Sequence, residues 1–305
     1  GTLTDPGGSR ILALDAIVPV IAVENPLPDI TLEDLRGIVT GRLTDWAELG
    51  QEPGPIVLHI TRPSTGLFQS FMRRVLRRES VALPAGTVVH DDDGTLVSEV
   101  SDDPLALGLA AFSDIGNAQP VDLRGPCGRR SAANAMALKS EDYPLTTPIF
   151  LYTPARRLPR LARDFLAYAN SPAAQAVIAR AGFVDQFPQA VSLDAQGARL
   201  ANAIRNAGTE VSLSDLKDMI ATLEGRSRLT ISFRFEGGST LLDAQSRSNV
   251  ALLAEALERG LFDDRRLTFA GFSDGTGDAV ANRRLSRDRA EVVRDAVRTA
   301  ARTMD

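Results

Sequence analysis

Residues 11–23 read ILALDAIVPVIAV, an apolar run rich in isoleucine and valine that suits a buried strand. Asn25, Pro26 and Pro28 follow, and such residues stop a strand and turn the chain. A helix is expected next. Thr31 with Asp34 three positions on makes a capping box, Leu32, Leu35, Ile38 and Val39 form one apolar face, and Gly41 suits the exit. Residues 56–61 read as a strand and residues 67–78 as a helix, with Phe68, Phe71, Met72, Val75 and Leu76 at helical spacing and arginines opposite. Further on, residues 105–112 and 148–153 read as strands, and residues 159–169 and 172–180 as helices. Ser171 caps the second of these helices, Pro172 takes its first position and Gly182 closes it. Strands alternating with helices up to about residue 188 predict an α/β architecture with parallel pairing, in which ligands gather at strand ends.

A composition shift follows. Residues 189–225 are small, polar and helical and read as a connector. Beyond them Ile231, Phe233 and Phe235 alternate with polar neighbours over residues 229–235, predicting a strand covered on one face. A helix over 241–259, a strand over 266–272 and a helix over 281–301 complete a β-α-β-α series. The expected division is therefore residues 1–188, a connector at 189–225, and residues 226–305.

The 305 residues suffice for two domains with separate cores, and 44% hydrophobic with 24% charged residues is the balance of a chain that folds in water. A net charge of −5 gives no reason to expect binding to nucleic acid or anionic lipid. No apolar run approaches a transmembrane length, and residues 1–10 lack the layout of a secretory signal, as expected of an exported chain after processing. Cys127, the single cysteine, cannot form an internal disulfide. The two histidines, His59 and His90, cannot by themselves build a zinc site of the usual kind, so neither metal nor cofactor is expected. His59, Trp46 and Tyr143 read as packed residues, and Asp91-Asp92-Asp93-Gly94 as a turn lacking the spacing of a calcium loop.

Chemistry is suggested at two places. Gly271-Phe272-Ser273-Asp274-Gly275 spells the G-x-S-x-G of a nucleophile elbow, but both histidines precede Ser273 and fall in the other α/β unit, which argues against a serine hydrolase. In the same stretch Asp274 precedes a helix on which Asn282, Ser286 and Arg289 share one face. A carboxylate at a strand end and a guanidinium one helix away can grip a zwitterion, the acid taking its ammonium and the fork its carboxylate. The same two residues can equally form an internal ion pair, or Arg289 can belong to a solvated face with Arg283, Arg284 and Arg287.

Residues 271–293, GFSDGTGDAVANRRLSRDRAEVV, resemble the signature of OmpA-like peptidoglycan-binding domains, G-H-T-D-x-x-G followed by N-x-x-L-S-x-x-R-A. Matching positions are Gly271, Asp274, Gly277, Asn282, Leu285, Ser286, Arg289 and Ala290, while Phe272 and Ser273 stand at the family's histidine and threonine. Phe235, Ser239 and Leu241 resemble the family's first strand and turn. The resemblance implies that Asp274 and Arg289 hold the diaminopimelate of a peptidoglycan stem peptide, with Asn282 and Ser286 supporting the loop. It also implies a further strand and a basic closing segment after residue 305.

The earlier half resembles PstS-like periplasmic solute-binding proteins of phosphate transport. The patches that carry the likeness are LEDLRGIVTGRLTDWAELG (32–50), ITRPSTGLFQSF (60–71) and YPLTTPIFLYT (143–153), with DPLALGLAAF (103–112) and SPAAQAVIARAGFV (171–184) following the same plan. In that family an arginine and a Ser-Gly-Thr turn at a helix N-terminus hold the anion, where unsatisfied backbone N–H groups collect. The resemblance puts Arg62, Ser64, Thr65 and Gly66 in this role and implies a first lobe before residue 11. Leu67 replaces the family's last threonine and no aspartate separates Arg62 from Gly66, which leaves the anion open. Arg62 can alternatively cap a surface loop while Phe68 and Phe71 pack. Together the resemblances imply a periplasmic-binding-protein-like α/β domain followed by an OmpA-C-like α+β domain. They imply a non-catalytic periplasmic protein attached to peptidoglycan, whose partners are phosphate or a related oxyanion and an ABC transporter. A structural or protein-docking scaffold that has lost its solute is the alternative.

Overall fold

The computed structural model describes residues 9–76, 82–125, 128–154, 158–193, 196–205, 207, 211–273 and 277–301. Its strands are β1 (Ser9–Ile21), β2 (Asp29–Thr31), β3 (Val57–Thr61), β4 (Val88–His90), β5 (Ala106–Ala111), β6 (Gln119–Pro120), β7 (Asp122–Arg124), β8 (Arg130–Ser131), β9 (Thr146–Tyr152), β10 (Ala190–Ser192) and β11 (Ser227–Leu229). The helices are α1 (Leu32–Val39), α2 (Gly66–Val75), α3 (Asp93–Asp102), α4 (Ala135–Lys139), α5 (Arg160–Ala169), α6 (Pro172–Arg180), α7 (Gly197–Arg205), α8 (Leu213–Leu223), α9 (Ala244–Glu258) and α10 (Ala279–Ala300). No described helix is long and apolar enough to cross a membrane. The chain forms two compact units. The first comprises residues 12–149 with 161–185, and the second comprises residues 150–160 with the chain from 186 onward and the start of β1.

In the first unit a sheet runs in the order β4-β3-β5-β1-β6, with β9 paired to β1 off that path. The parallel pairing expected from the alternation holds for β3 with β4 and β5, whereas β1 runs antiparallel to β5 and β6. An all-apolar strand reveals that both of its faces are covered and says nothing of its direction, which explains the difference. Ala16, Ile17, Val18, Val20 and Ile21 of β1 are fully buried, as are Leu107 and Leu109 of β5. Local sequence explains the helix ends. Thr31 Oγ1 accepts from the Asp34 N–H at 3.0 Å while Asp34 accepts from the Thr31 N–H, and Ser171 caps α6 with Pro172 at its first position. Gly182 leaves α6 at φ +89°, a conformation that other residues rarely adopt. Trp46 is buried and donates from Nε1 to the Leu105 carbonyl, and buried Tyr143 donates to the Ile17 carbonyl.

One helix was not legible. Asp92, read as part of a turn, is the N-cap of α3 and accepts from the Thr95 N–H at 2.8 Å, while Leu96, Val97 and Val100 bury the face beneath. The cap holds the carboxyl of Asp92 below its usual pKa.

The second unit is built on α9 and α10, whose Val250, Leu253, Val293 and Val297 form its core with Ile231, Phe233, Phe235 and Phe269 packed against them. Of the strand expected over 229–235 only Leu229 lies in one, at the end of β11 (Ser227–Leu229), which pairs antiparallel with β10, while residues 230–234 form no ladder and Phe235 makes only a bridge to Leu242. Residues 266–272 form no strand, although their exposure alternates as a strand's would, with Leu267, Phe269 and Gly271 turned inward. Alternation dictates which face is buried. A ladder also needs a neighbour in register, which the pattern does not supply.

Candidate functional site

Arg289 lies in the third turn of α10, half-buried. Its Nε donates to the Ser239 carbonyl at 3.0 Å and its guanidinium sits 5.0 Å from the centre of the Phe235 ring. Ser239 belongs to a turn that closes on itself. The Glu236 N–H donates to the Leu241 carbonyl, the Ser239 N–H and hydroxyl donate to the Glu236 carbonyl, the Leu241 N–H donates to Ser239 Oγ, and Phe235 bridges Leu242. The turn and the ring thus orient Arg289 through Nε and one face. Among the described residues neither Nη nitrogen has an acceptor, so the outer edge of the fork can take a carboxylate.

Gly271 fixes the other side. A Cβ on it would lie 1.9 Å from the Ser286 carbonyl oxygen and 3.4 Å from Ala290 Cβ, so only glycine lets this segment run against α10. Residues 271–273 therefore pass beside the helix turn that carries Ser286 and Arg289. Asp274, expected to face Arg289, lies outside the described residues, as does Cys127. Asp278 caps α10 by accepting from the Ala281 N–H at 2.8 Å. Asn282 is half-buried one turn later, and Ser286 donates its hydroxyl to the Arg283 carbonyl at 2.9 Å. The two histidines lie in the first unit, where His59 Nδ1 and His90 Nε2 pair with each other.

In the first unit Arg62, Ser64 and Thr65 lie between β3 and α2, and Gly66 is the first residue of α2. Thr65 is the N-cap of α2 and accepts from the Phe68 N–H at 3.3 Å, Gly66 opens the helix, and Ser64 is exposed. Phe68 and Phe71 pack fully buried beneath. This brings a hydroxyl-bearing turn and the positive end of a ten-residue helix to the surface beside Arg62. Arg62 is already paired: Nε and Nη2 both donate to Asp91 Oδ1, at 2.9 and 2.7 Å. The sequence reading missed Asp91 because it lies 29 positions from Arg62, and only the parallel pairing of β3 with β4 brings the two strand ends together. The run of aspartates before an apolar i, i+3, i+4 pattern was the available signal for the helix that follows.

The chain thus carries a mixed α/β unit with a helix N-terminus beside an arginine, followed by a helical unit with an oriented guanidinium. The chain belongs to the PBP superfamily, whose domain matches residues 9–173, and an OmpA family domain matches residues 234–300. It is 29% identical over 187 residues to the phosphate-binding protein PstS of Bacillus subtilis, which covers 60% of this chain and 60% of that protein. Among solved structures it resembles an ABC-type phosphate transport receptor from Vibrio cholerae, with a TM-score of 0.52, 20% identity, and 58% of this chain and 71% of that one covered. It also resembles a phosphate ABC transporter substrate-binding protein with bound phosphate from Clostridium perfringens, with a TM-score of 0.50, 23% identity and the same coverage. The chain thus spans less than two thirds of its curated relative, and the structural likenesses establish the fold.

Proposed function

We propose that this protein is a non-catalytic, periplasmic binding protein held on the cell wall. Its second unit takes the diaminopimelate end of a peptidoglycan stem peptide between Asp274 and Arg289, with Asn282 and Ser286 bracing the loop. Its first unit takes a small oxyanion of the phosphate class at Arg62, Ser64, Thr65 and Gly66 and presents it to an ABC transporter. Residues 1–188 and 226–305 carry the two roles, with 189–225 as the connector. The observation that carries this reading is the coexistence on one chain of two modules whose families both work outside the cytoplasm. The oriented fork of Arg289 supports the anchor, since its two Nη nitrogens, without an acceptor among the described residues, present the paired donors that a carboxylate requires.

Co-sedimentation with purified sacculi tests the anchor. The wild-type chain pellets, Asp274→Ala and Arg289→Ala stay in the supernatant, and Arg289→Lys, which keeps the charge and loses the fork, binds only weakly. Equal pelleting of all four would remove the claim. A second reading, a scaffold that no longer binds solute, draws support from the Arg62–Asp91 pair, which occupies the guanidinium. Calorimetry with phosphate and sulfate separates the two. Saturable binding lost in Arg62→Ala establishes the solute site, and silence with both anions favours the scaffold.

A further inference from the structure

The chain has two histidines, and both lie in the first unit on adjacent parallel strands. His59 stands opposite Val88 and His90 opposite Thr61, so the histidines sit two positions apart in register, and strand alternation puts them on one face. α3 packs against β3, β4 and β5 and brings Glu99 to the same place. Both rings are buried, at 4% and 5% exposure, and His59 Nδ1 lies 2.9 Å from His90 Nε2. The ring centroids are 5.1 Å apart with planes 18° from parallel, so the two nitrogens face each other almost in line. Glu99 Oε2 is 3.9 Å from His90 Nε2, and one ligand atom from each of the three residues falls within 4.8 Å of the others.

We propose that His59, His90 and Glu99 form a binding site for a divalent transition metal of the zinc class, with a fourth position open to water or another donor. Two imidazoles and a carboxylate are a donor set that zinc favours and magnesium and calcium do not. Tetrahedral zinc with bonds of ~2.0–2.1 Å spaces its ligand atoms on the order of 3.3 Å apart. The separations of 2.9 and 3.9 Å bracket that value. Binding requires the two rings to part by ~0.4 Å and tilt so that both lone pairs aim at the metal, and Glu99, whose side chain is 55% exposed, to rotate inward.

Burial foremost, and then the charge of His90, lower the pKa of His59, while Glu99 and Asp103 oppose that shift more weakly. In the metal-free pair one facing nitrogen donates its proton to the other. When a metal takes both facing lone pairs, that proton is carried instead by the outer nitrogen of its ring. Glu99, Asp103 and Asp92, the last of which also interacts with His90, surround the pair with carboxylates and favour an incoming dication. A bound metal would tie β4, the edge strand of the sheet, to β3 and α3.

The test uses the full chain, stripped with chelator and desalted, then titrated with zinc chloride by calorimetry and with cobalt chloride by absorption. The expected result is one zinc per chain, intense visible bands with cobalt that zinc abolishes, and a thermal midpoint several degrees higher with zinc. Glu99→Gln should weaken binding ~10-fold or more, and His90→Asn should abolish it. Magnesium chloride should produce no heat. Absence of saturable one-to-one binding overturns the proposal, as does zinc binding that survives unchanged in both variants. Should His90→Asn fail to fold, the exposed Glu99→Gln decides the matter by itself, because its replacement removes a ligand without opening the core.

Discussion

Substituting Gly271 by alanine probes the geometry on which the second unit depends. The added methyl would stand 1.9 Å from the Ser286 carbonyl oxygen and 2.8 Å from its carbon. The obstacle is backbone inside α10, which cannot rotate away as the tip of a side chain could. Gly271 has no positive φ, so the cost is steric alone. Relief requires the 271–273 segment to withdraw by about 1 Å or more, at ~1–3 kcal/mol, the usual cost of overpacking. For a unit of this size each kcal/mol lowers the melting temperature by roughly 4–8 °C. The same withdrawal moves Phe272 and Ser273 away from the turn of α10 that carries Ser286 and Arg289. Loss of a charge-assisted hydrogen bond there, at ~1.5–3 kcal/mol, weakens sacculus binding ~10–100-fold. Calorimetric melting and quantitative co-sedimentation of the full chain measure the two effects. Gly197→Ala is the control. It opens α7 with nothing within 4 Å of its built Cβ, so it should be neutral or stabilising by at most ~1 kcal/mol. If Gly271→Ala melts and pellets like Gly197→Ala, the close approach to α10 is wrong.

The remaining predictions concern the first unit, where buried Trp46, the only tryptophan, reports unfolding by fluorescence. Lys139 is buried and donates to Asp185 Oδ1 at 2.7 Å, so Asp185→Ala should cost ~3 kcal/mol in denaturant titration by leaving a buried ammonium short of its counter-charge. Thr65→Ala removes the cap of α2 and should cost ~1 kcal/mol, with a loss of any oxyanion binding that exceeds the loss of stability. Burial raises the pKa of Asp15 above its unfolded value, despite hydrogen bonds from Ala16 and Ser113. The folded state therefore holds this proton more tightly. Its contribution is fully present below the unfolded pKa, near 3.8, and is lost as pH rises through the higher folded pKa. Asp93 shifts in the same direction by burial. Asp15→Asn should flatten this loss in unfolding curves taken from pH 4 to 7, and an unchanged pH slope would contradict the assignment.

Much of the fold was legible because its signals are local. The capping box at Thr31, the Ser171-Pro172 start of α6 and the glycine exits need only neighbouring residues, and β1 announces its burial by composition. Arg289, Asn282 and Ser286 were placed on one helical face by spacing alone. The direction of β1, the missing ladder at 266–272 and the start of α3 were not legible, because direction, register and a helix beginning among aspartates depend on what lies alongside.

Sequence by itself determined which residue types stand near a helix start, which faces are apolar, and that the chain holds one guanidinium aligned with Asn282 and Ser286. Tertiary structure decided the pairings: Arg62 with Asp91, Arg289 with Ser239 and Phe235, and His59 with His90 and Glu99. The physical reason is range. Helix caps and periodicity act over a few residues, whereas these partners are 29 to 54 positions apart or lie on different strands, and only packing and sheet register bring them into contact.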